Sequence, residues 1–376
     1  MSLAIAGMGW VTPLGSGIDE VWSRLRRGEE AVAEPISDPV GKKPYPVFRV
    51  PAIALKDLPV HPRLRRASAI SRFAVAAGLS ALREGGVNVD AIKTKRIALI
   101  FAISNGGVIY TKRFYHDIVA SGADAASPLL FPETVFNAPA SHLAAILGIT
   151  GATYTLVGDG AVGLLAIKMA EDLMMDDALE YCLVVGAEEA DWLLCDAYAK
   201  WRLVRAAPPI SPFQRPPRGM ILSEGAGAVL VAREGAVKIA QTDGGTNYWE
   251  RSKLAEAGAQ VLKNLGDIPT DTVIIGSAGG TFVDEAEANA ISSVFPGSVI
   301  YTPKPALGEG VGASGLWQTI IAATALRARQ LPPLLHAESN ATLQIRPASA
   351  HTPVGSCALV LSCGLNQQVS GLRLSL

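Results

Sequence analysis

Val157-Gly158-Asp159-Gly160-Ala161-Val162-Gly163 closes a short strand-like stretch and opens the apolar, alanine-rich stretch from Ala161 to Met174. Two glycines flanking an aspartate, between residues at strand spacing and residues at helical spacing, predict a strand, a tight turn and a buried helix. The same punctuation recurs outward in both directions. Leu3 to Ala6, Ile97 to Ile103, Tyr181 to Val185, Ala228 to Val231, Val273 to Ile275 and Ala358 to Leu361 are short apolar runs near Gly-rich turns, the pattern of buried strands. Ser71 to Leu82 and Leu316 to Arg329 are Ala-rich and amphipathic, as helices are. Strands alternating with helices predict an α/β fold.

The chain has 376 residues, 49% of them hydrophobic, enough for about two or three cores of ordinary size. A net charge of -1 with 18% charged residues gives no electrostatic footprint for nucleic acid or an anionic membrane. No apolar run approaches the roughly 20 residues of a membrane span. The opening Met-Ser-Leu-Ala-Ile-Ala-Gly lacks a basic leader and reads as a first strand, so a cytoplasmic protein is expected. Cys182, Cys195, Cys357 and Cys363 form no CxxC pair and are read as reduced, buried thiols; neither metal nor cofactor is expected. Ala33 to Pro62, with seven prolines, is read as a surface excursion, and Arg63, Arg65, Arg66 and Arg72 after it as a solvated helix entry. Glu224-Gly-Ala-Gly-Ala-Val-Leu-Val echoes Val354-Gly-Ser-Cys-Ala-Leu-Val-Leu, which either a duplicated half-fold or chance would produce.

Longer patterns follow one another in a telling order. Gly7-Met-Gly-Trp-Val-Thr-Pro-Leu-Gly15 leads to Arg66 to Leu82, then to Phe131-Pro-Glu-Thr-Val-Phe-Asn-Ala-Pro-Ala140 and a Leu-Gly-Ile-Thr-Gly turn. Gly186-Ala-Glu-Glu189, Pro212-Phe213, Arg218-Gly219 and Ser223-Glu-Gly-Ala-Gly227 come next. In this order they resemble the β-ketoacyl-acyl carrier protein synthases of the thiolase superfamily over nearly the whole chain. The resemblance implies an α/β, thiolase-like five-layered αβαβα sandwich of two duplicated halves, here divided as residues 1-235 and 236-376. It also implies condensation of an acyl thioester with a malonyl thioester on acyl carrier protein, through one cysteine and two histidines.

None of the three catalytic residue types stands where the resemblance would put it. The nucleophile position falls on Gly160, and no Ser, Thr or Cys lies between Leu156 and Met174. Asp159 beside it is read as a helix N-cap in preference to a covalent nucleophile. The first histidine position falls on Gly276, or on Ser277 or Ala278 if the alignment slips. The second falls on Glu309 within Lys304-Pro-Ala-Leu-Gly-Glu-Gly-Val-Gly312, where a carboxylate would repel a malonyl group unless Lys304 neutralised it. Asp284, Glu287 and Lys304 match supporting positions and are read first as a buried ion network joining two loops, second as a residual site with Asp159 and Ser277. A gate loop is expected at Thr352, Pro353 and Val354. His116, His142 and His336 are read as structural, and His351 is singled out for its nearness to that loop.

A family scaffold without its Cys-His-His set is similar to the chain-length-factor subunits. The implied role is that of a partner to an active β-ketoacyl synthase paralogue in fatty-acid or polyketide-type biosynthesis, a heterodimer served by acyl carrier protein. The alternatives are an acyl-thioester enzyme with altered activity, such as malonyl decarboxylation or non-covalent acyl transfer, and a homodimeric acyl-binding protein.

Overall fold

A computed structural model describes residues 3–37, 43–337 and 344–376. Ten strands carry the core: β1 (Leu3–Thr12), β2 (Ile97–Ile103), β3 (Thr153–Val157), β4 (Tyr181–Glu188), β5 (Gly225–Ala232), β6 (Val237–Thr242), β7 (Val273–Ile275), β8 (Val299–Tyr301), β9 (Cys357–Cys363) and β10 (Gln368–Ser375). The first five lie in the order β3-β2-β4-β5-β1 and the second five in the order β8-β7-β9-β10-β6. Numbered within each set, both orders are third, second, fourth, fifth, first. The directions also repeat. β2 is parallel to β3 and β4, and β7 to β8 and β9, while the fourth and fifth strands of each set are antiparallel. The two sets join edge to edge where β1 pairs antiparallel with β6, Leu3 opposite Ile239. Duplication is therefore present in the topology. The sequence echo is a different matter: it aligns β5, a fifth strand, with β9, a fourth, so the two stretches are not equivalent positions.

Six helices complete the layers: α1 (Ala69–Glu84), α2 (Ala138–Leu147), α3 (Val162–Leu173), α4 (Leu254–Asn264), α5 (Val283–Val294) and α6 (Ser314–Ala328). α1 packs on β1 and β5, with α2 beside it, and α4 packs on β9 and β10 with α5 beside it. α3 and α6 lie between the two sheets and touch each other. This is the five-layered thiolase-like sandwich. Each residue of α6 from Ser314 to Leu326 is buried, as a helix with sheet on both sides requires. The helices meet at Gly163 and Gly315, where a methyl group on Gly163 would stand 3.0 Å from the Leu316 amide nitrogen.

The proline-rich segment is only in part the surface excursion expected of it. Ala33–Ser37 pairs with Pro44–Phe48, which in turn pairs with Leu222–Ser223, and Tyr45, Val47 and Phe48 are buried. Residues 38–42 of that segment lie outside the described residues. Arg63, Arg65, Arg66 and Arg72 are exposed. No described helix is long and apolar enough to cross a membrane.

Candidate active site

β3 ends at Val157, the amide of Gly158 donates to the Ile103 carbonyl at 3.0 Å, and the chain turns through Asp159 and Gly160 into α3. Gly160 is thus buried at the start of the central helix. A Cβ built there would meet only Gly364 Cα at 3.6 Å and the Cys363 carbonyl at 3.9 Å, ordinary contact distances, so the backbone has room for the side chain it lacks. The Ser362 hydroxyl donates to the Gly160 carbonyl at 2.8 Å, tying the elbow to β9.

Asp159 does not cap α3 from the N-cap position, which is Ala161. Its carboxylate accepts from the Asn366 amide at 2.6 Å and from the Ala161 amide at 3.5 Å. Burial pushes its carboxyl up to about 6; the two amides and Lys304 act against that rise, and Glu309 adds to it.

The loop after β7 is held by two carboxylates on α5. Glu287 accepts from the amides of Ser277 (2.7 Å) and Ala278 (2.8 Å) and from the Ser277 hydroxyl (2.8 Å). Asp284 accepts from the amides of Gly279, Gly280, Thr281 and, across the two halves, Phe213. Burial raises both carboxyls, Glu287 to about 7. A side chain at Gly276 would collide with Glu287, whose Oε2 would be 2.7 Å from its Cβ. The Ser277 oxygen also accepts from the Cys363 amide at 2.7 Å, which fixes the loop against β9.

Lys304 and Glu309 form a buried ion pair at 2.5 Å, their side chains 6% and 3% exposed. Burial works against the ammonium, but Glu309, and then Glu287 and Asp284, hold Lys304 above its ordinary value. The Glu309 carboxylate is otherwise satisfied by the Ser314 hydroxyl (2.7 Å) and the Val311 amide (3.0 Å) at the start of α6. Cys363 lies where these groups converge: burial, and next Glu287, push its thiol well up, while Lys304 and Ser277 oppose. The structure thus brings Asp159, Gly160, Ser277, Asp284, Glu287, Lys304 and Glu309 into one buried region.

Thr352, Pro353 and Val354 are not in it. The Thr352 carbonyl accepts from Leu331, Pro353 bridges to Gln330, and the Val354 amide donates to Arg329. All are at the C-terminal end of α6, whereas Glu309 and Ser314 are at its N-terminal end, roughly 20 Å away for a helix of this length. His351 is exposed on that same distant loop. The loop that faces the elbow is Gly364 to Gln367, after β9. Reading the strand as ending at Leu361 concealed it; the signal was Cys363-Gly364, where the apolar run enters its turn. Glu188 was also missed as a site residue. It accepts from the amides of Ser104 (2.9 Å) and Asn105 (3.1 Å), and burial raises it to about 7. Among the histidines, His142 bonds Glu133 at 2.6 Å, His336 bonds Glu30 at 2.7 Å, and His116 is exposed. Among the described residues, no group of His, Cys, Asp and Glu is arranged to hold a metal ion.

A two-half sandwich with a glycine elbow at its central helix defines a protein of the thiolase type. The chain belongs to the β-ketoacyl synthase family: residues 2–236 match the beta-ketoacyl synthase N-terminal domain and residues 240–338 the C-terminal domain. Nodulation protein E of Rhizobium sp. (strain N33) is 25% identical, with 88% of this chain and 87% of that protein aligned. The 3-oxoacyl-[acyl-carrier-protein] synthase 2 of Coxiella burnetii is 24% identical over 90% and 88%. Among solved structures, the ishigamide ketosynthase/chain length factor superposes with a TM-score of 0.87 at 19% identity, covering 100% of this chain and 98% of that one.

Proposed function

We propose that this chain is a non-condensing, chain-length-factor-like subunit that pairs with an active β-ketoacyl synthase in fatty-acid or polyketide-type biosynthesis. The observation that carries the reading is Gly160: the elbow has the backbone shape and the space for a nucleophile, and no side chain to act as one. The neighbouring groups do not substitute for it. Asp159 is engaged by backbone amides, the Ser277 hydroxyl by Glu287, and the Cys363 thiol is held protonated by burial. The altered-enzyme alternative needs a cation for the malonyl carboxylate, and Lys304 is already neutralised by Glu309.

The partner role is supported by what surrounds β3. Among the described residues it is the last strand of the sheet and pairs only with β2, and Tyr154 and Val157 on it are exposed. α2 packs against it and carries the Phe131–Thr134 turn, on which the helix Val108–Ser121 packs with no buried residue of its own; Phe131, Val135 and Phe136 are exposed. An unpaired edge beside an apolar patch calls for a partner. Because β3 runs straight into Gly160, a synthase paired there would sit beside the elbow, with acyl carrier protein delivering to the synthase. A second copy of this chain is the fallback partner. The same reading divides the chain into halves at residues 235 and 236.

The test is intact mass after incubation with an acyl thioester. No adduct is expected; a stoichiometric acyl adduct on Asp159 or on any cysteine overturns the non-condensing reading.

A further inference from the structure

The helix Val108–Ser121 rises from a firm base but has little support of its own. Just before it, the amides of Ser104 and Asn105 are held by the buried Glu188 carboxylate at 2.9 and 3.1 Å. Gly106 and Gly107 follow, Gly106 at φ 64, and Gly122 closes the far end at φ 87. Glycine therefore stands at both ends of the helix, where the backbone turns most freely. Between them lie 14 residues, none of them buried. The helix packs chiefly on two short turns, Ala123–Ala125 and Phe131–Thr134. The Lys112 ammonium sits 3.8 Å from the centre of the Trp192 ring, Phe114 meets Phe131 with ring centroids 5.6 Å apart, and the Thr111 hydroxyl donates to the Thr134 carbonyl at 3.3 Å. Tyr115 and Val119, one turn apart, are exposed. A helix of this length is marginal in water by itself, and helices in folded proteins draw most of their stability from an apolar face packed on a core.

We infer that Val108–Ser121 is a glycine-hinged helix that opens readily in the lone chain and is fixed when a chain of the same fold pairs with β3. α2 packs both on β3 and on the turn Phe131–Thr134, and the helix packs on that turn. The unpaired edge, the exposed Phe131, Val135 and Phe136, and the exposed Tyr115 and Val119 thus lie along one run of packed elements. Assembly at this edge supplies the apolar contact that the helix lacks in its own chain, so order in the segment is coupled to association. The ordering cost is drawn from the affinity. This inference rests on the partner role proposed above and adds the regulation of that same surface.

Hydrogen exchange read by mass spectrometry on the full chain tests it, with native mass recorded on the same samples. The lone chain is reached by dilution, or with Tyr154→Lys where dilution leaves it assembled. The assembled chain is the homodimer, or the complex with the intact synthase encoded nearest to it. In the lone chain, amides 112–121 should exchange about a hundredfold or more faster than those of α1, and assembly should slow them about tenfold or more with α1 unchanged. The ratio of helix to α1 within each sample is the quantity read, so general loosening by the substitution does not imitate the result. Protection in the lone chain equal to that of α1 overturns the inference, as does a helix that exchanges equally fast in the lone and the assembled chain. A chain that stays monomeric by mass in every sample refutes the partner role, and the coupling falls with it; that failure is read from mass and not from exchange.

Discussion

At the scale of single residues, what matters is which buried groups are satisfied and by whom. Gly160 has room for a Cβ, so Gly160→Cys should fold and lose less than about 1 kcal/mol. The restored thiol should still give no condensation product from acyl and malonyl thioesters, because Gly276 and Glu309 supply no imidazole; β-ketoacyl product in a mass-spectrometric assay would contradict this. The Lys304–Glu309 pair is buried, and removing one partner strands the other's charge. Lys304→Met should therefore lower the unfolding free energy by about 3–5 kcal/mol in denaturant titration, and Glu309→Gln added to it should recover part of the loss. The carboxyls of Asp159, Glu188, Glu189 and Glu287 stand at about 6, 7, 7 and 7, all raised chiefly by burial. A carboxyl raised on folding binds a proton more tightly in the folded chain than in the unfolded one. Its contribution to stability is therefore greatest in acid and is lost as pH rises from the ordinary carboxylate range through the raised value. The melting temperature should consequently be higher near about pH 5.5 than near about pH 7.5, and Asp159→Asn should shallow that slope.

At the scale of elements, legibility followed burial. β2 and β7 have the very bounds that their apolar runs predicted, Ile97–Ile103 and Val273–Ile275, because every residue in them faces core. The apolar run of β1 ends at Ala6, yet the strand continues to Thr12. Its glycines look like a turn, but they are there because α1 crosses so close that a Cβ on Gly9 would lie 2.2 Å from the Ala77 carbonyl. The helix Val108–Ser121 leaves no trace in the apolar pattern, since with no buried residue it has no apolar stripe to show. β3 is half-exposed and gave no buried-strand signal, for the same reason that it is available to a partner. Placing a lysine on this exposed edge strand, Tyr154→Lys or Val157→Lys, should weaken association by tenfold or more in sedimentation while leaving the circular dichroism spectrum unchanged, an effect of about 1–2 kcal/mol.

At the scale of the whole molecule, the duplicated sandwich explains why so much of the site could be read and where reading stopped. Gly160, Lys304 and Glu309 sit in short motifs whose spacing is local, so sequence alone brought them forward. The loop at 364–367 facing the elbow, and the contact of Ser277 with Cys363, depend on β7 and β9 lying parallel side by side, a long-range pairing that no local pattern carries. The gate expected at Thr352 to Val354 failed for the same reason: which end of β9 meets the elbow is a property of the sheet. In the proposed assembly this chain is joined by a second, catalytically intact one. Co-expression with the intact β-ketoacyl synthase encoded nearest to this chain, followed by native mass spectrometry, tests it most directly. A one-to-one heterodimer is the predicted result; a clean monomer whose mass does not shift when that synthase is present would contradict it.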